Sequence, residues 1–266
     1  MPVLTNIRQL LTCRAEGGQE TLHSIERAAL AWEGDTIRWV GPEAELPVRF
    51  REMPRLDAGG CLVAPGLVDC HTHLAFGGWR ADEFRLRCRG VSYLEIARQG
   101  GGIRRTVAQT RAASEDALYH RCLGFLREMA RLGITTVETK SGYGLSFEEE
   151  LKLLRVYRRL QATQPVRLIP TLLAAHIVPP EYADRREAYL QLITDELIPH
   201  VARERLAECC DVFVEETAFT VEEARRILER GKAFGLRPKL HADQLHDGGG
   251  ARLAAEVGAV SADHLE

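Results

Sequence analysis

Two histidines separated by one residue, His71 and His73, are the strongest chemical signal in the sequence. In a β-strand the side chains at positions i and i+2 point to the same face, so both imidazoles would project together. Imidazole nitrogen suits Zn, Fe, Ni or Cu, and catalytic zinc usually has three protein ligands and one open position. His241, which ends a separate apolar run, would supply the third imidazole. We predict a metal site at these three residues; the alternative is histidines that only hydrogen-bond to loops.

Further polar residues lie where other predicted strands end. His264 closes the run Ala-Val-Ser-Ala-Asp-His, and His176 closes Leu-Leu-Ala-Ala-His. Tyr143, in Thr-Lys-Ser-Gly-Tyr-Gly, is either a hydrogen-bond donor to a substrate or an aromatic residue of a surface turn. Lys140 in the same segment is expected to form a structural charge pair rather than to be a carbamylated metal ligand. Arg80 follows Gly-Gly-Trp soon after the histidine pair, and its planar donor fork matches a carboxylate.

The segments that would position these residues alternate between strand-like and helical patterns. The apolar strand-like runs are Leu62–Cys70, Ile134–Thr139, Val166–Ala174, Cys209–Val214, Arg237–His241 and Ala259–His264. Such alternation predicts a parallel sheet with crossover helices, either a (β/α)8 barrel or an open doubly wound sheet. No glycine-rich phosphate fingerprint follows the first run, and ligand-type residues end several strands. Both features favour the barrel, whose sites are built at the carboxyl ends of its strands.

The helices between these runs have recognisable start signals. Ser114 precedes Glu115 and Asp116, which predicts an N-cap. Ser146 with Glu149, and Thr220 with Glu223, fit the capping box, in which two side chains satisfy free backbone donors. We therefore expect helices to begin at these three places.

The chain divides into a small β-rich domain at residues 1–60 and a barrel at residues 61–266. Two apolar segments, 28–32 and 36–40, flank Glu33-Gly34-Asp35 and predict a hairpin in the first domain. The second contains six predicted strands, about six of the eight units of a (β/α)8 barrel, which typically needs about 250 residues. We expect about two further strand–helix units beyond residue 266; the alternative is a complete six-stranded domain.

Composition excludes several classes of protein. The net charge of −3 argues against a generally basic nucleic-acid-binding protein, and no apolar run is long enough to span a bilayer. The seven cysteines are scattered without a Cys-x-x-Cys pair, which indicates reduced thiols rather than a disulfide framework. We expect a cytoplasmic protein that acts on a small molecule, with no nucleic-acid or membrane partner.

The motifs together resemble those of a known family. The segment Ala64-Pro-Gly-Leu-Val-Asp-Cys-His-Thr-His looks like the metal-binding entry strand of the amidohydrolase superfamily. The longer similarity, from about Leu62 to the last residue, is to the imidazolonepropionases. It is carried by Phe76-Gly-Gly-Trp-Arg, Gly100-Gly-Gly-Ile-Arg, Glu138-Thr-Lys-Ser-Gly-Tyr-Gly-Leu, Ala175-His-Ile-Val-Pro-Pro-Glu-Tyr, Lys239-Leu-His-Ala-Asp-Gln-Leu and Ser261-Ala-Asp-His-Leu-Glu.

This resemblance implies a reaction and a division of roles. The family hydrolyses the ring amide of 4-imidazolone-5-propanoate to N-formimino-L-glutamate in histidine degradation, with one zinc or iron ion on a (β/α)8 barrel, and a homodimer is implied. The metal ligands would be His71, His73 and His241, and His264 would act on the attacking water. The substrate-binding positions would be Arg80, Tyr143, His176 and Gln244, with His176 expected to help stabilise the oxyanion.

Two departures from the family pattern affect the expected activity. The last metal ligand, an aspartate, would lie beyond residue 266, so this chain alone is expected to be inactive. Some members carry Glu at position 244, and glutamine can orient water or substrate but cannot act as a base. Two other functions compete: another amidohydrolase such as a nucleobase deaminase, and a non-catalytic metal- or ligand-binding protein of the same fold.

Overall fold

The computed structural model describes residues 1–18, 20–92, 95–96 and 99–266. Within them the chain forms two compact units, Met1–Gly66 and Leu67–Glu266. No helix among these residues is both long and apolar enough to cross a membrane.

The first unit is a mixed sheet. Its strands are β1 (Val3–Leu11), β2 (Ser24–Glu33), β3 (Thr36–Pro42), β4 (Arg55–Asp57) and β5 (Leu62–Val63). The order is β3-β2-β1-β4, and β5 also pairs with β1. The predicted hairpin is confirmed, because β2 and β3 pair antiparallel with Glu33 opposite Thr36. Val3, Ala29, Ala31 and Leu46 pack around Phe50 on the short helix Val48–Arg51.

The second unit contains six strands among the described residues, all parallel and in sequential order. They are β6 (Leu67–Thr72), β7 (Ile134–Lys140), β8 (Arg167–Ala175), β9 (Cys209–Val214), β10 (Arg237–Ala242) and β11 (Ser261–His264). A doubly wound sheet reverses its strand order at a switch point, and this sheet does not. The sheet curls so far that His71 on β6 lies 2.8 Å from Asp263 on β11. The barrel prediction is therefore confirmed.

Helices surround this sheet. Their bounds are Ala81–Cys88, Ile103–Ala112, Glu115–Arg131, Phe147–Gln161, Arg186–Gln191, Ile198–Arg203, Val221–Ala233 and Gly250–Val257. A 3-10 turn at Pro180–Tyr182 and a π-helical segment at Leu192–Leu197 also lie in this unit, and a further 3-10 turn at Glu43–Glu45 lies in the first unit. The helices bury an apolar core against the strands that includes Leu153, Leu154 and Tyr157.

Two of the three predicted caps form. Ser114 accepts a hydrogen bond from the backbone N–H of Ala117, and Thr220 with Glu223 makes a complete capping box. The box predicted at Ser146 and Glu149 was wrong, because Ser146 makes no side-chain cap bond. Glu149 pairs instead with Lys152, one turn along the same helix.

The apolar run predicted as one strand over Leu62–Cys70 is two strands. Leu62–Val63 pairs with β1, whereas Leu67–Thr72 is the first strand of the barrel. Pro65 and Gly66 separate them. Proline lacks a backbone N–H and so interrupts ladder pairing, which explains the break.

Candidate metal centre

Five histidines meet at one rim of the barrel. His71 lies near the end of β6, His241 lies near the end of β10, and His264 ends β11. His73 and His176 follow β6 and β8 directly. Because all six strands are parallel, their carboxyl ends share one edge, and that edge is where barrels carry their active sites.

The imidazole nitrogens lie close enough to share an ion. Nε2 of His73 is 3.2 Å from Nε2 of His241. Two triplets have one nitrogen of each ring within 4.8 Å of the others: His71 with His241 and His264, and His73 with His176 and His241. His241 belongs to both, so the predicted set of His71, His73 and His241 spans the two triplets.

The electrostatics of the rings fit a metal ion. Burial and the neighbouring imidazoles hold the pKa of His73 well below its usual range. Burial and His241 lower the pKa of His176 to about 3. Both rings are therefore neutral near pH 7 and offer lone pairs, and Nδ1 of His73 is buried with no hydrogen-bond partner among the described residues. A cluster of neutral imidazoles is a donor set that zinc or iron accepts.

Two aspartates lie against the Nδ1 atoms of two of these histidines. Oδ2 of Asp263 is hydrogen-bonded at 2.8 Å to Nδ1 of His71, whereas Oδ2 of Asp211 lies 3.1 Å from Nδ1 of His241 as an ion-pair contact outside hydrogen-bond geometry. Oδ1 of Asp211 also accepts the backbone N–H of His241 at 3.1 Å. Metal-binding histidines commonly use such a carboxylate to fix the ring and its tautomer, leaving Nε2 for the ion.

A buried lysine neutralises these carboxylates. Nζ of Lys140 is fully buried and lies 2.7 Å from Asp211, 2.9 Å from Glu138 and 3.6 Å from Asp263. Burial lowers the pKa of Lys140, but the charges of Asp211 and Glu138 outweigh it and raise the net value. Burial raises the pKa of Asp211, and His241 and Lys140 bring it well below its usual range. The expected structural charge pair at Lys140 is thus confirmed.

Arg80 and Tyr143 lie at the side of the histidine cluster. They border a cavity of about 240 Å³ whose other lining residues are His73, Phe76, Gly77, Gly78, Trp79 and Thr106. The Tyr143 ring centre is 5.4 Å from those of His73 and His176. The Arg80 guanidinium is about one-third exposed and pairs at 3.4 Å with the buried Glu83. A cation and a phenol therefore face the same cavity as His73.

The loop that carries Arg80 approaches a helix so closely that it needs glycine. A Cβ at Gly77 would lie 2.2 Å from the backbone oxygen of Gln109. The backbone N–H of Gly77 instead donates to Thr110 at 2.8 Å. Arg121 donates to the carbonyl of Gly78 at 2.8 Å. These contacts explain the Gly-Gly pair ahead of Arg80.

The remaining two predicted site residues lie on the segments after β10 and at the end of β11. Gln244 is half-buried, three residues beyond His241. His264 is exposed, and its ring centre lies 5.1 Å from that of His71 and 5.3 Å from that of His241. Burial and the neighbouring rings lower the pKa of His264, so it is neutral at pH 7.

The sequence reasoning missed three acidic residues that support the site. Asp211 and Asp263 hold His241 and His71, and Glu83 holds Arg80. One signal was available, because Asp211 interrupts the otherwise apolar run Cys209–Val214. A charged residue at a strand position that faces the barrel interior is costly unless it is paired.

Comparisons with known proteins fit this geometry. No protein-family model matches the chain. An atrazine chlorohydrolase from Arthrobacter aurescens in complex with zinc has a TM-score of 0.65 at 14% identity, over 97% of this chain and 58% of that one. A 5-methylcytosine deaminase from Klebsiella pneumoniae has a TM-score of 0.61 at 17% identity, over 96% of this chain and 55% of that one. The fold is shared with these hydrolase and deaminase barrels.

Proteins of similar sequence indicate a narrower class of protein than the fold alone does. The imidazolonepropionase of Myxococcus xanthus is 49% identical over 269 residues, 99% of this chain and 64% of that protein. The imidazolonepropionase of Geobacillus thermodenitrificans is 52% identical over 248 residues, 92% of this chain and 58% of that protein. The chain thus spans less than two thirds of the length of these relatives. By sequence the chain is similar to the imidazolonepropionases, as the motifs predicted.

Proposed function

We propose that the complete protein hydrolyses the ring amide of 4-imidazolone-5-propanoate to N-formimino-L-glutamate. The observation that carries the proposal is near-50% identity to imidazolonepropionases over almost the whole chain. Zinc or iron as the ion, a homodimer and a cytoplasmic location belong to the same proposal. The solved deaminase barrels are below 20% identical and support only the shared fold.

His71, His73 and His241 would hold the metal ion, with Asp263 and Asp211 orienting two of the rings. A bound zinc or iron ion supplies Lewis-acid chemistry that makes a nucleophilic water available near pH 7, a shift of several pKa units from about 15.7 in bulk water. The family resemblance implies a carboxylate as the ligand that would complete the set.

His264 is suited to handle the proton of that water. Its ring lies beside His71 and His241, and its lowered pKa keeps a lone pair free at neutral pH. In the reaction the water oxygen bonds to the ring carbonyl carbon while His264 takes a proton. The ring C–N bond then breaks, and the proton passes to the departing nitrogen. General acid–base catalysis of this kind contributes about 10²- to 10⁴-fold.

The hydrogen bond of His176 supports a proposal that differs from the expected oxyanion stabilisation. Nδ1 of His176 lies 2.9 Å from the carbonyl oxygen of Gly142, which can only accept. Nδ1 therefore carries the proton, and with a pKa of about 3 the neutral ring presents Nε2 as an acceptor. We propose that His176 accepts a hydrogen bond from a ring N–H of the substrate.

Arg80 is the cation available for the propionate. It lines the cavity beside His73, and its single partner side chain among the described residues, Glu83, uses one edge of the guanidinium. The other donors can bind a carboxylate in a bidentate fork. The Tyr143 hydroxyl and the Gln244 amide would then contact the ring of the substrate.

The test is turnover by the complete metal-loaded protein. We expect 4-imidazolone-5-propanoate to be converted to N-formimino-L-glutamate without release of ammonia. Ammonia from guanine, cytosine or adenosine would favour the deaminase alternative. Tight metal binding without turnover of any of these compounds would favour a non-catalytic binding protein.

A further inference from the structure

A buried glutamate outside the histidine cluster holds the loop that carries Tyr143. Glu150 lies in the first turns of the helix Phe147–Gln161, and its side chain is completely buried. Side chains on a helix lean toward its N-terminus, so the carboxylate points back at the preceding loop. No substrate-binding position implied by the family resemblance includes it.

The carboxylate accepts three backbone N–H groups of that loop. Gly144 and Leu145 donate to Oε1 at 2.8 Å each, and Gly142 donates to both oxygens at 3.1 and 3.2 Å. Tyr143 therefore lies between two residues that one side chain fixes. Buried N–H groups without a partner are costly, so the loop conformation depends on this acceptor.

The loop backbone includes one conformation that is costly for a residue other than glycine. Gly142 has φ +97° and Leu145 has φ +54°, the left-handed region that is unfavourable for leucine. A Cβ at Gly144 would lie 2.4 Å from the backbone carbon of Glu149. The loop thus packs directly on the start of the helix that carries Glu150.

The same loop also controls His176. The carbonyl of Gly142, whose N–H binds Glu150, accepts the Nδ1 hydrogen of His176 at 2.9 Å. On the outer side, Arg111 donates to the carbonyl of Gly144 at 2.6 Å and pairs with Glu181 at 2.7 Å, five residues after His176. Glu150 is therefore linked through the loop backbone to Tyr143 and to His176.

We propose that Glu150 is a positioning residue that fixes the orientation of Tyr143 and the tautomer of His176 for substrate binding. This inference rests on the proposed function, since it takes Tyr143 and His176 as substrate contacts. A residue that only stabilised the fold would change the melting temperature and leave the folded protein with its normal substrate affinity and its normal His176 tautomer.

The experiment uses Glu150→Ala and Glu150→Gln in the complete metal-loaded protein. We expect Glu150→Ala to lower kcat/KM by about 10- to 100-fold, mainly through KM, because misplacing a positioning group by about 1 Å costs that much. Metal content stays at the wild-type level. Glu150→Gln keeps one acceptor oxygen for Gly144 and Leu145, so its effect lies between wild type and Glu150→Ala. Glu148→Gln is the control, since Glu148 is exposed on the same helix and its one side-chain ion pair among the described residues is a 4.0 Å contact with Arg155.

A second readout does not need turnover. In protein with ¹⁵N-labelled histidine, the His176 signals, assigned by their loss in His176→Gln, should report protonation at Nδ1 in wild type and a tautomer mixture in the Glu150 variants. Folded Glu150 variants with wild-type KM and an unchanged His176 tautomer would overturn the inference. If Glu150→Ala does not fold, the KM and the His176 tautomer of Glu150→Gln decide whether the inference holds. If wild-type protein does not turn over the imidazolone, the proposed function fails, and the tautomer measurement still decides whether Glu150 positions His176.

Discussion

Replacement of Asp211 by asparagine removes the carboxylate that supports His241 and leaves the imidazole of His241 in place. Asp211 is fully buried, 3.1 Å from Nδ1 of His241 and 2.7 Å from Nζ of Lys140. Asparagine keeps the shape and one acceptor oxygen, but it removes the negative charge that both neighbours face. The change therefore acts on metal affinity and on stability at the same time.

The two magnitudes follow from these contacts. Loss of a carboxylate behind a metal-binding histidine typically weakens metal binding about 10- to 100-fold, and we expect Asp211→Asn to fall in that range. Breaking one partner of a buried ion pair costs about 3 to 5 kcal/mol. Lys140 keeps Glu138 at 2.9 Å, so the loss in unfolding free energy should lie at the lower end, about 3 kcal/mol.

The assay is competition for the metal against a chelator, together with urea unfolding of the metal-free protein. Glu208→Gln is the matched control, because its surface pair with Arg237 is about half-exposed and should contribute less than about 1 kcal/mol. The reasoning would be refuted if Asp211→Asn bound metal within about twofold of wild type, since the carboxylate behind His241 would then not support the site.

Three further predictions follow from the same geometry. His264→Ala should lower kcat by about 10²-fold or more with metal content unchanged; an unaltered kcat removes it from the mechanism. Arg80→Ala should raise KM for the propionate substrate by about 10-fold or more with little change in kcat, and an unchanged KM would place the propionate elsewhere. Burial raises the pKa of Asp263, but His71, Lys239 and Lys140 lower it to a net value of about 2. Asp263 should therefore contribute about 1 to 2 kcal/mol above pH 4, after allowance for solvent screening, and this contribution is lost progressively as the pH falls from 4 through the folded-state pKa of about 2. Urea unfolding of metal-free wild type and Asp263→Asn should converge only below pH 2; a constant difference would contradict this.

Local patterns predicted the architecture well, because they depend on neighbouring residues only. The alternation of apolar runs with helical segments gave the six described parallel strands. The spacing of His71 and His73 correctly predicted that both lie at the end of one strand. The histidines that end other apolar runs lie at the same rim of the barrel. The boundary error at Leu62–Cys70 came from reading through Pro65 and Gly66.

Contacts between distant strands could not be predicted in this way. The pairing of His71 with Asp263 joins residues 192 positions apart, and only the closure of the sheet brings them together. The two predicted capping boxes show that even contacts between neighbouring residues cannot always be predicted from local sequence. Thr220 and Ser146 have equivalent local sequences, but at Ser146 the glutamate of the box binds Lys152 instead.

Glu150 illustrates a signal that the sequence contains and that is easily overlooked. It is the last of three consecutive glutamates, and helical spacing places it on the face shared by Leu154 and Tyr157. An acidic residue on the apolar face of a helix needs buried partners. Which partners it binds depends on the loop before the helix, and no local rule specifies that conformation.

In the proposed function, the histidine site of the complete protein adds water to a cyclic amide. The most direct test is to incubate the complete metal-loaded protein with 4-imidazolone-5-propanoate in H₂¹⁸O and to analyse the product by mass spectrometry. The account predicts N-formimino-L-glutamate with one ¹⁸O in the newly formed carboxylate and no ammonia. Unchanged substrate in the presence of fully metal-loaded protein, or a deaminated product, would contradict it.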